Sequence, residues 1–143
     1  MKTAFALVAS ISVLATTAGM ARAEDPQPAE RAAAESAAQS WLGLIDAGNA
    51  AASWASAATL FRARVTEAQW ANAVTGVRDG LGPLKSRTLE SATLVHTLPG
   101  APDGRYIVFK YSAVFANKAG ATETVTPMLE ADGSWHVSGY YVR

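Results

Sequence analysis

The chain has 143 residues, half of them hydrophobic, with twelve basic and twelve acidic side chains and no cysteine. Without cysteine there is no disulfide, no thiolate metal site and no thiol nucleophile, so packing must hold the fold together. A near-neutral chain without a Lys/Arg cluster also lacks the electrostatic footprint of a nucleic-acid or anionic-membrane binder.

Lys2 precedes an uncharged apolar run from Ala4 to Ala18, and Ala21-Arg22-Ala23 supplies a small-residue cleavage site before Glu24. Ser10, Ser12, Thr16 and Thr17 interrupt the run, which falls short of the roughly 20 apolar residues of a spanning helix. Residues 1–23 therefore read as a signal peptide cleaved after Ala23, delivering the product to the periplasm or, alternatively, outside the cell. No stable membrane insertion is expected after cleavage, and no cysteine follows the apolar run to carry a lipid. The remaining 120 of 143 residues, with ten basic and twelve acidic side chains, are enough for one domain.

Glu24 to Pro28, with Pro26 and Pro28, reads as a short tether ahead of a single domain over residues 29–143. From Ala29 to Asp46, Ala34, Ala38, Trp41 and Ile45 recur at helical spacing opposite Arg31, Glu35 and Gln39, which predicts an amphipathic helix ending near Gly48. Asn49 caps a predicted second helix whose stripe is Trp54, Ala57, Phe61 and Val65, with Arg62 and Arg64 in its last turn. Thr66 and Gln69 form a capping-box pair for a third helix carrying Trp70, Val74, Val77 and Leu81. Gly80, Gly82 and Pro83 end it.

Beyond Pro83 the residues turn β-branched and aromatic between turn signals, predicting antiparallel strands. The first, Lys85 to Leu98, changes apolar phase between Leu89 and Ala92, as a bulge near Ser91 would produce. After the breaker-rich Pro99 to Gly104, the second strand runs from Arg105 to Ala116 with Ile107, Phe109, Tyr111, Ala113 and Phe115 on one face. Its other phase, Tyr106, Val108 and Val114, is also apolar, as in a strand covered in part on both sides. The third strand, Ala121 to Glu130, contains Pro127 and so belongs at an edge or a bulge. Asp132-Gly133 turns the chain into a fourth strand, where Trp135, Val137, Gly139 and Tyr141 alternate with His136, Ser138, Tyr140 and Val142. Three helices followed by about four antiparallel strands is an α+β order, with the helices on one face of a curved sheet.

That order is similar to the nuclear-transport-factor-like (cystatin-like) cone fold. Within it the chain resembles the domain of unknown function 4019 family of small exported bacterial proteins. The matching residues are Trp41-Leu42, Asp46, Gly48, Ser53-Trp54, Leu60-Phe61-Arg62, Gln69-Trp70, Gly104 to Val108, Glu123 to Thr126 and, most specifically, Asp132 to Tyr141. The resemblance implies export and a compact cone over a pocket, and it implies no reaction. No motif of cone-fold enzymes such as the ketosteroid isomerases maps here residue by residue.

Chemistry-bearing residues are sparse. His96 and His136 are far apart and lack metal-ligand spacing, so no metal and no cofactor is expected. His96 shares a phase with Leu94 and Leu98 and is a pocket candidate or a structural strand-end histidine. Asp46 and Asp79, each at a helix end, are acid or base candidates at a cone mouth. The competing readings are turn hydrogen bonding for Asp46 and ion pairing of Asp79 with Arg78, Lys85 or Arg87. Trp54, Trp70, Tyr111 and Tyr141 are ligand-contact candidates, against the reading that such aromatics interlock as core. No phosphate loop, nucleophile elbow or serine–histidine pair is present. The reading that follows is a non-enzymatic module for a small apolar ligand or an envelope protein. Its alternatives are a pocket enzyme of isomerase or hydratase type using an Asp and a Tyr, or a homodimer formed through the outer sheet face.

Overall fold

The computed structural model describes residues 23–143; residues 1–22 of the expected signal peptide lie outside the described residues. The elements in chain order are helices α1 (Pro28–Asp46), α2 (Ala50–Ala55), α3 (Thr59–Arg64) and α4 (Glu67–Leu81), then strands β1 (Leu84–Val95), β2 (Tyr106–Phe115), β3 (Lys118–Leu129) and β4 (Trp135–Val142). The strands form one antiparallel sheet in the order β1-β2-β3-β4. The α+β class and the helices-then-strands order agree with the sequence reading.

α1 starts with Pro28 in its first turn and buries the predicted stripe of Ala34, Ala38, Trp41 and Ile45. Asn49 caps α2 by accepting the Ala52 N–H at 3.1 Å. The predicted second helix, however, is two. Ala57 and Ala58 are buried between α2 and α3, the Ala58 N–H donates to the Val137 carbonyl on β4 at 2.8 Å, and the Glu130 carboxylate accepts the Thr59 N–H at 2.7 Å. These tertiary bonds replace those of a continuous helix, so a stripe that looks unbroken in sequence folds around a corner. The Thr66–Gln69 capping box opens α4, and Gly82, at φ 74°, closes it.

The expected bulge in β1 lies between Leu89 and Ser91. β3 is an interior strand, and of the two situations that tolerate its proline it adopts the bulge, with a register shift between Thr126 and Pro127. Thr126 faces Gly139 and Pro127 faces Val137, so Ser138 is the extra residue on β4. The strict alternation expected of β4 therefore fails at Ser138. Val137, Tyr140 and Val142 pack into the core and Tyr141 is turned out.

Between helices and sheet the space is filled. Trp70 lies 5.7 Å from Trp41, 5.0 Å from Phe61 and 6.4 Å from Tyr140, ring centre to ring centre. Phe109, Val125 and Val137 complete the floor of this core. Each such side chain withdrawn from water contributes about 1.5–3 kcal/mol. On the opposite face Tyr106 is also buried, its hydroxyl donating to the Pro102 carbonyl at 2.6 Å, so the β1–β2 loop covers that part of the sheet. The segment expected as a tether is fixed at Glu24, which exchanges two main-chain hydrogen bonds with Leu94 at 3.0 and 2.8 Å.

Candidate functional site

The chemistry of the molecule converges on five side chains from five elements. Asp46 ends α1, Arg78 lies in the last turn of α4, and Arg87, Glu123 and Tyr140 point inward from β1, β3 and β4. Glu123 is in phase with Ala121 and Val125 on the inner face, and its carboxylate is 0% exposed. Adjacent strands are about 4.8 Å apart, so Arg87 must cross β2 to reach β3; it does so where its partner on β2 is the small Ala113.

Arg87 grips two carboxylates. Its Nε and Nη2 donate to Glu123 at 2.6 and 3.2 Å, and its Nη1 and Nη2 donate to Asp46 at 2.8 and 2.9 Å. Such forked pairing is a property of guanidinium and adds geometric definition to charge. Arg78 donates to Asp46 at 2.7 Å, stands 3.7 Å from Glu123, and lies 4.9 Å from the centre of the Phe115 ring. The Tyr140 hydroxyl donates to Glu123 at 2.6 Å. Two acids and two bases thus cancel, and the buried carboxylate has its charge and its hydrogen bonds met.

Burial alone would raise the pKa of Asp46, yet hydrogen bonds and charge from Arg87 and Arg78 outweigh it and hold the carboxyl below its ordinary value. Burial also works against the charged form of Arg87, and Asp46 and Glu123 more than restore it. Tyr140 is raised by burial and by the Glu123 carboxylate. Tyr111 is pushed up to about 12, first by burial and then by Glu35; its buried hydroxyl has no hydrogen-bond partner among the described residues. A general base near neutrality needs a raised carboxylate pKa, and Asp46 moves the other way. A carboxylate and a tyrosine hydroxyl do meet, at Glu123 and Tyr140, but both are committed to the chain's own arginines. The cluster is a clasp.

Of the residues singled out from sequence, Asp46 belongs to this clasp, and Arg78 and Arg87, expected as partners of Asp79, pair with Asp46 and Glu123 instead. Asp79 is exposed and shares with Ile45, Asp46, Arg78 and Leu84 an open groove of about 690 Å³ whose walls carry no tyrosine. His96 is exposed in the β1–β2 loop, where its carbonyl accepts the Gly104 N–H at 2.9 Å. Trp54 donates to the Val65 carbonyl at 2.7 Å and Trp70 to the Ser53 hydroxyl at 2.9 Å, each serving the packing of the helices. Tyr111 lies in the core at 3% exposure. Tyr140 is one of the sheet tyrosines whose inward hydroxyl could serve a site, whereas Glu123 is no sequence candidate; the period-2 alternation with Ala121 and Val125 marks Glu123 as inward-facing. Among the described residues no three His, Asp or Glu side chains are grouped as metal ligands.

Trp70 and Tyr141 do come together. With Ala73, Val74, Val77 and Tyr140 they line a groove of about 220 Å³ between α4 and β4. Val77 at 49% and Tyr141 at 47% exposure are the large hydrophobic side chains that the described residues leave in water, and both stand on this one groove.

No curated protein and no solved structure matches the chain. A family model described as protein of unknown function (DUF4019) matches residues 37–140, from the middle of α1 into β4, a span that holds all five clasp residues and the α4 wall of the apolar groove but ends before Tyr141 and Val142. The chain therefore belongs to the DUF4019 family.

Proposed function

We propose that this protein is a non-enzymatic binding module of the bacterial cell envelope, exported by its signal peptide, that takes apolar chemistry in the groove between α4 and β4. Export is supported by Lys2, the uncharged Ala4–Ala18 run and the Ala21-Arg22-Ala23 site. The observation that carries the binding reading is the convergence of Val77 and Tyr141, half-exposed, on a single groove. Isolated exposed apolar residues are ordinary, whereas adjoining ones on a concave surface mark a contact site. Of the titratable candidates, Asp46 is neutralised in the clasp, His96 stands exposed in the β1–β2 loop, and Asp79 faces a groove without a hydroxyl of tyrosine to complement it.

The test is a fluorescence titration of the folded chain with the apolar dye 1-anilinonaphthalene-8-sulfonate. Dye bound in this groove lies beside Trp70, so enhancement should be accompanied by energy transfer from tryptophan. Val77→Asp and Tyr141→Asp should each weaken binding about tenfold, the equivalent of roughly 1.4 kcal/mol of lost apolar contact. Equal dye binding by wild type and both variants, or none by wild type, would end this reading.

A further inference from the structure

We propose that the Tyr140–Val142 edge of β4 receives an extended segment of another polypeptide as a fifth strand, apolar at alternate positions and acidic at its ends. This rests on the binding-module reading and specifies the occupant of its groove.

The main-chain geometry comes first. Thr122 and Arg143 exchange both of their N–H···O bonds, each at 3.0 Å. In an antiparallel ladder bonded and non-bonded pairs alternate, so Thr124–Tyr141 and Thr126–Gly139 are bonded pairs. The N–H and C=O groups of Tyr140 and Val142 consequently point away from β3, toward the outside of the sheet. Among the described residues no main-chain bond beyond the sheet reaches them. Farther along the same edge, the Val137 carbonyl accepts the Ala58 N–H at 2.8 Å, so the chain's own α2–α3 corner occupies that part and the open stretch is Tyr140 to Val142.

The two edges of the sheet are treated differently. β1 carries Lys85, Arg87 and Glu90, has two register shifts, and is tied to Glu24 at Leu94. Charges, bulges and covering segments are the usual protections of an edge strand. β4 from Trp135 to Val142 has no acidic residue, lysine or arginine. β4 has a bulge at Ser138 and is met by Ala58 at Val137, but the stretch from Tyr140 to Val142 has no such guard and lies beside exposed apolar side chains, which invites strand addition.

The grooves specify what kind of chain. The groove of about 220 Å³ lies on the helix side of this edge; another, of about 260 Å³, lies on the opposite side, where Leu98, Pro99 and Ala101 of the β1–β2 loop approach Ser138 and Tyr141. Tyr140 and Tyr141 border both. Successive side chains of a strand point to opposite faces, so an added strand sends one into each groove while its backbone pairs with Tyr140 and Val142, the mode of recognition known from strand addition. A helix would present one face only and leave those main-chain groups unpaired. Arg143 follows Val142 at one end, and Arg64 lines the second groove at the other. Both favour acidic residues flanking the apolar ones.

The chain isolated from periplasmic extracts of expressing cells is titrated with the synthetic peptide Glu-Val-Thr-Val-Thr-Val-Glu and with its analogue bearing lysine at both ends. Amide hydrogen exchange, read by NMR, should slow at Tyr140 and Val142 on addition of the acidic peptide, and the lysine analogue should bind about tenfold more weakly. Val142→Pro deletes one outward N–H at a position where an edge strand tolerates proline; it should remain folded, as its tryptophan emission reports, and lose the peptide, whereas Val142→Ala, which retains that N–H, should still bind it. The proposal is overturned if neither amide slows, or if Val142→Pro binds as wild type does. It is also overturned if both amides are slow without peptide and become slower with protein concentration, since the occupant is then a second copy of the chain. Dye binding that persists while the peptide fails removes the strand and leaves the apolar groove; loss of both removes the binding-module reading itself.

Discussion

Substituting the clasp at Glu123 and Arg87 separates what the ion pair contributes from what breaking it costs. Glu123 is wholly buried and accepts from Arg87 at 2.6 and 3.2 Å and from Tyr140 at 2.6 Å. Arg87→Met keeps most of the side-chain volume and leaves Glu123 a buried carboxylate with Tyr140 and the more distant Arg78 as partners. Removing one member of a buried pair costs about 3–5 kcal/mol, because the other charge is stranded out of water. Glu123→Leu strands Arg87 less completely, since Asp46 still takes its outer fork, so about 2–3 kcal/mol is expected there. The double variant replaces both charges with apolar groups of similar volume, a change that is often close to neutral. It should therefore be more stable than the sum of the singles predicts, with a coupling of at least about 2 kcal/mol. Urea unfolding followed by tryptophan fluorescence measures all four corners of the cycle. If the singles each lose less than about 0.5 kcal/mol, or if the double simply adds, the clasp is not the stability element described above.

Two tyrosine hydroxyls should respond oppositely to deletion. The Tyr111 hydroxyl is buried without a partner, so Tyr111→Phe should leave the urea midpoint unchanged or raise it, whereas Tyr140→Phe removes a bond to a carboxylate and should lose about 1.5–3 kcal/mol. The pH profile of stability should be flat near neutrality and fall on both sides. Asp46, with a folded pKa below its ordinary value, contributes above that value and loses its contribution as the pH drops through about 4 and below. Tyr111 and Tyr140, with folded pKa values above the ordinary 10.0, contribute fully below pH 10 and lose it as the pH climbs toward the Tyr111 value of about 12. Unfolding midpoints at acid, neutral and alkaline pH, with phenolate absorbance recorded alongside, check both arms.

The stripe of α1, the Trp70–Val74 half of the α4 stripe, the Asn49 and Thr66 caps, the bulge near Ser91 and the inner phase of β2 were legible because each rests on local periodicity or turn chemistry, whereas Val77, in step with the α4 stripe, stands in water. The break at Ala57–Ala58 was not: alanine satisfies a helix, and the Val137 carbonyl that ends it belongs to a strand 79 positions away. β4 was misphased for a related reason. Pro127 announces a bulge on its own strand, but the extra residue appears on the neighbouring one, at Ser138, and reverses which of the paired tyrosines faces the core. That reversal put Tyr141 into water and Tyr140 against Glu123. The aspartates drew attention as titratable groups at helix ends, while Glu123 hid inside a strand otherwise rich in threonine, where only its phase gives it away.

Clasp and groove share Arg78 and Tyr140, and this ties the stability element to the binding reading. α4 reaches the sheet side through Trp70 and Arg78. The guanidinium holds Asp46 at 2.7 Å, approaches the Tyr140 hydroxyl at 3.5 Å and covers Phe115, while Val74 and Val77 on the same helix form one wall of the groove whose other wall is Tyr140 to Val142. Arg78→Met preserves the aliphatic packing of the stem but removes the bonds that fix the distance between those walls. It should cost about 1.5–3 kcal/mol in stability, and under conditions where the variant remains folded, dye affinity should fall as it does for Val77→Asp although no groove-lining apolar group has changed. Arg78→Lys, which keeps the charge but not the fork, should recover stability in part and affinity less. If Arg78→Met binds dye as wild type does while losing the expected stability, α4 is held in place by the apolar packing of Trp70 and Val74, and the groove owes nothing to the ionic network beneath it.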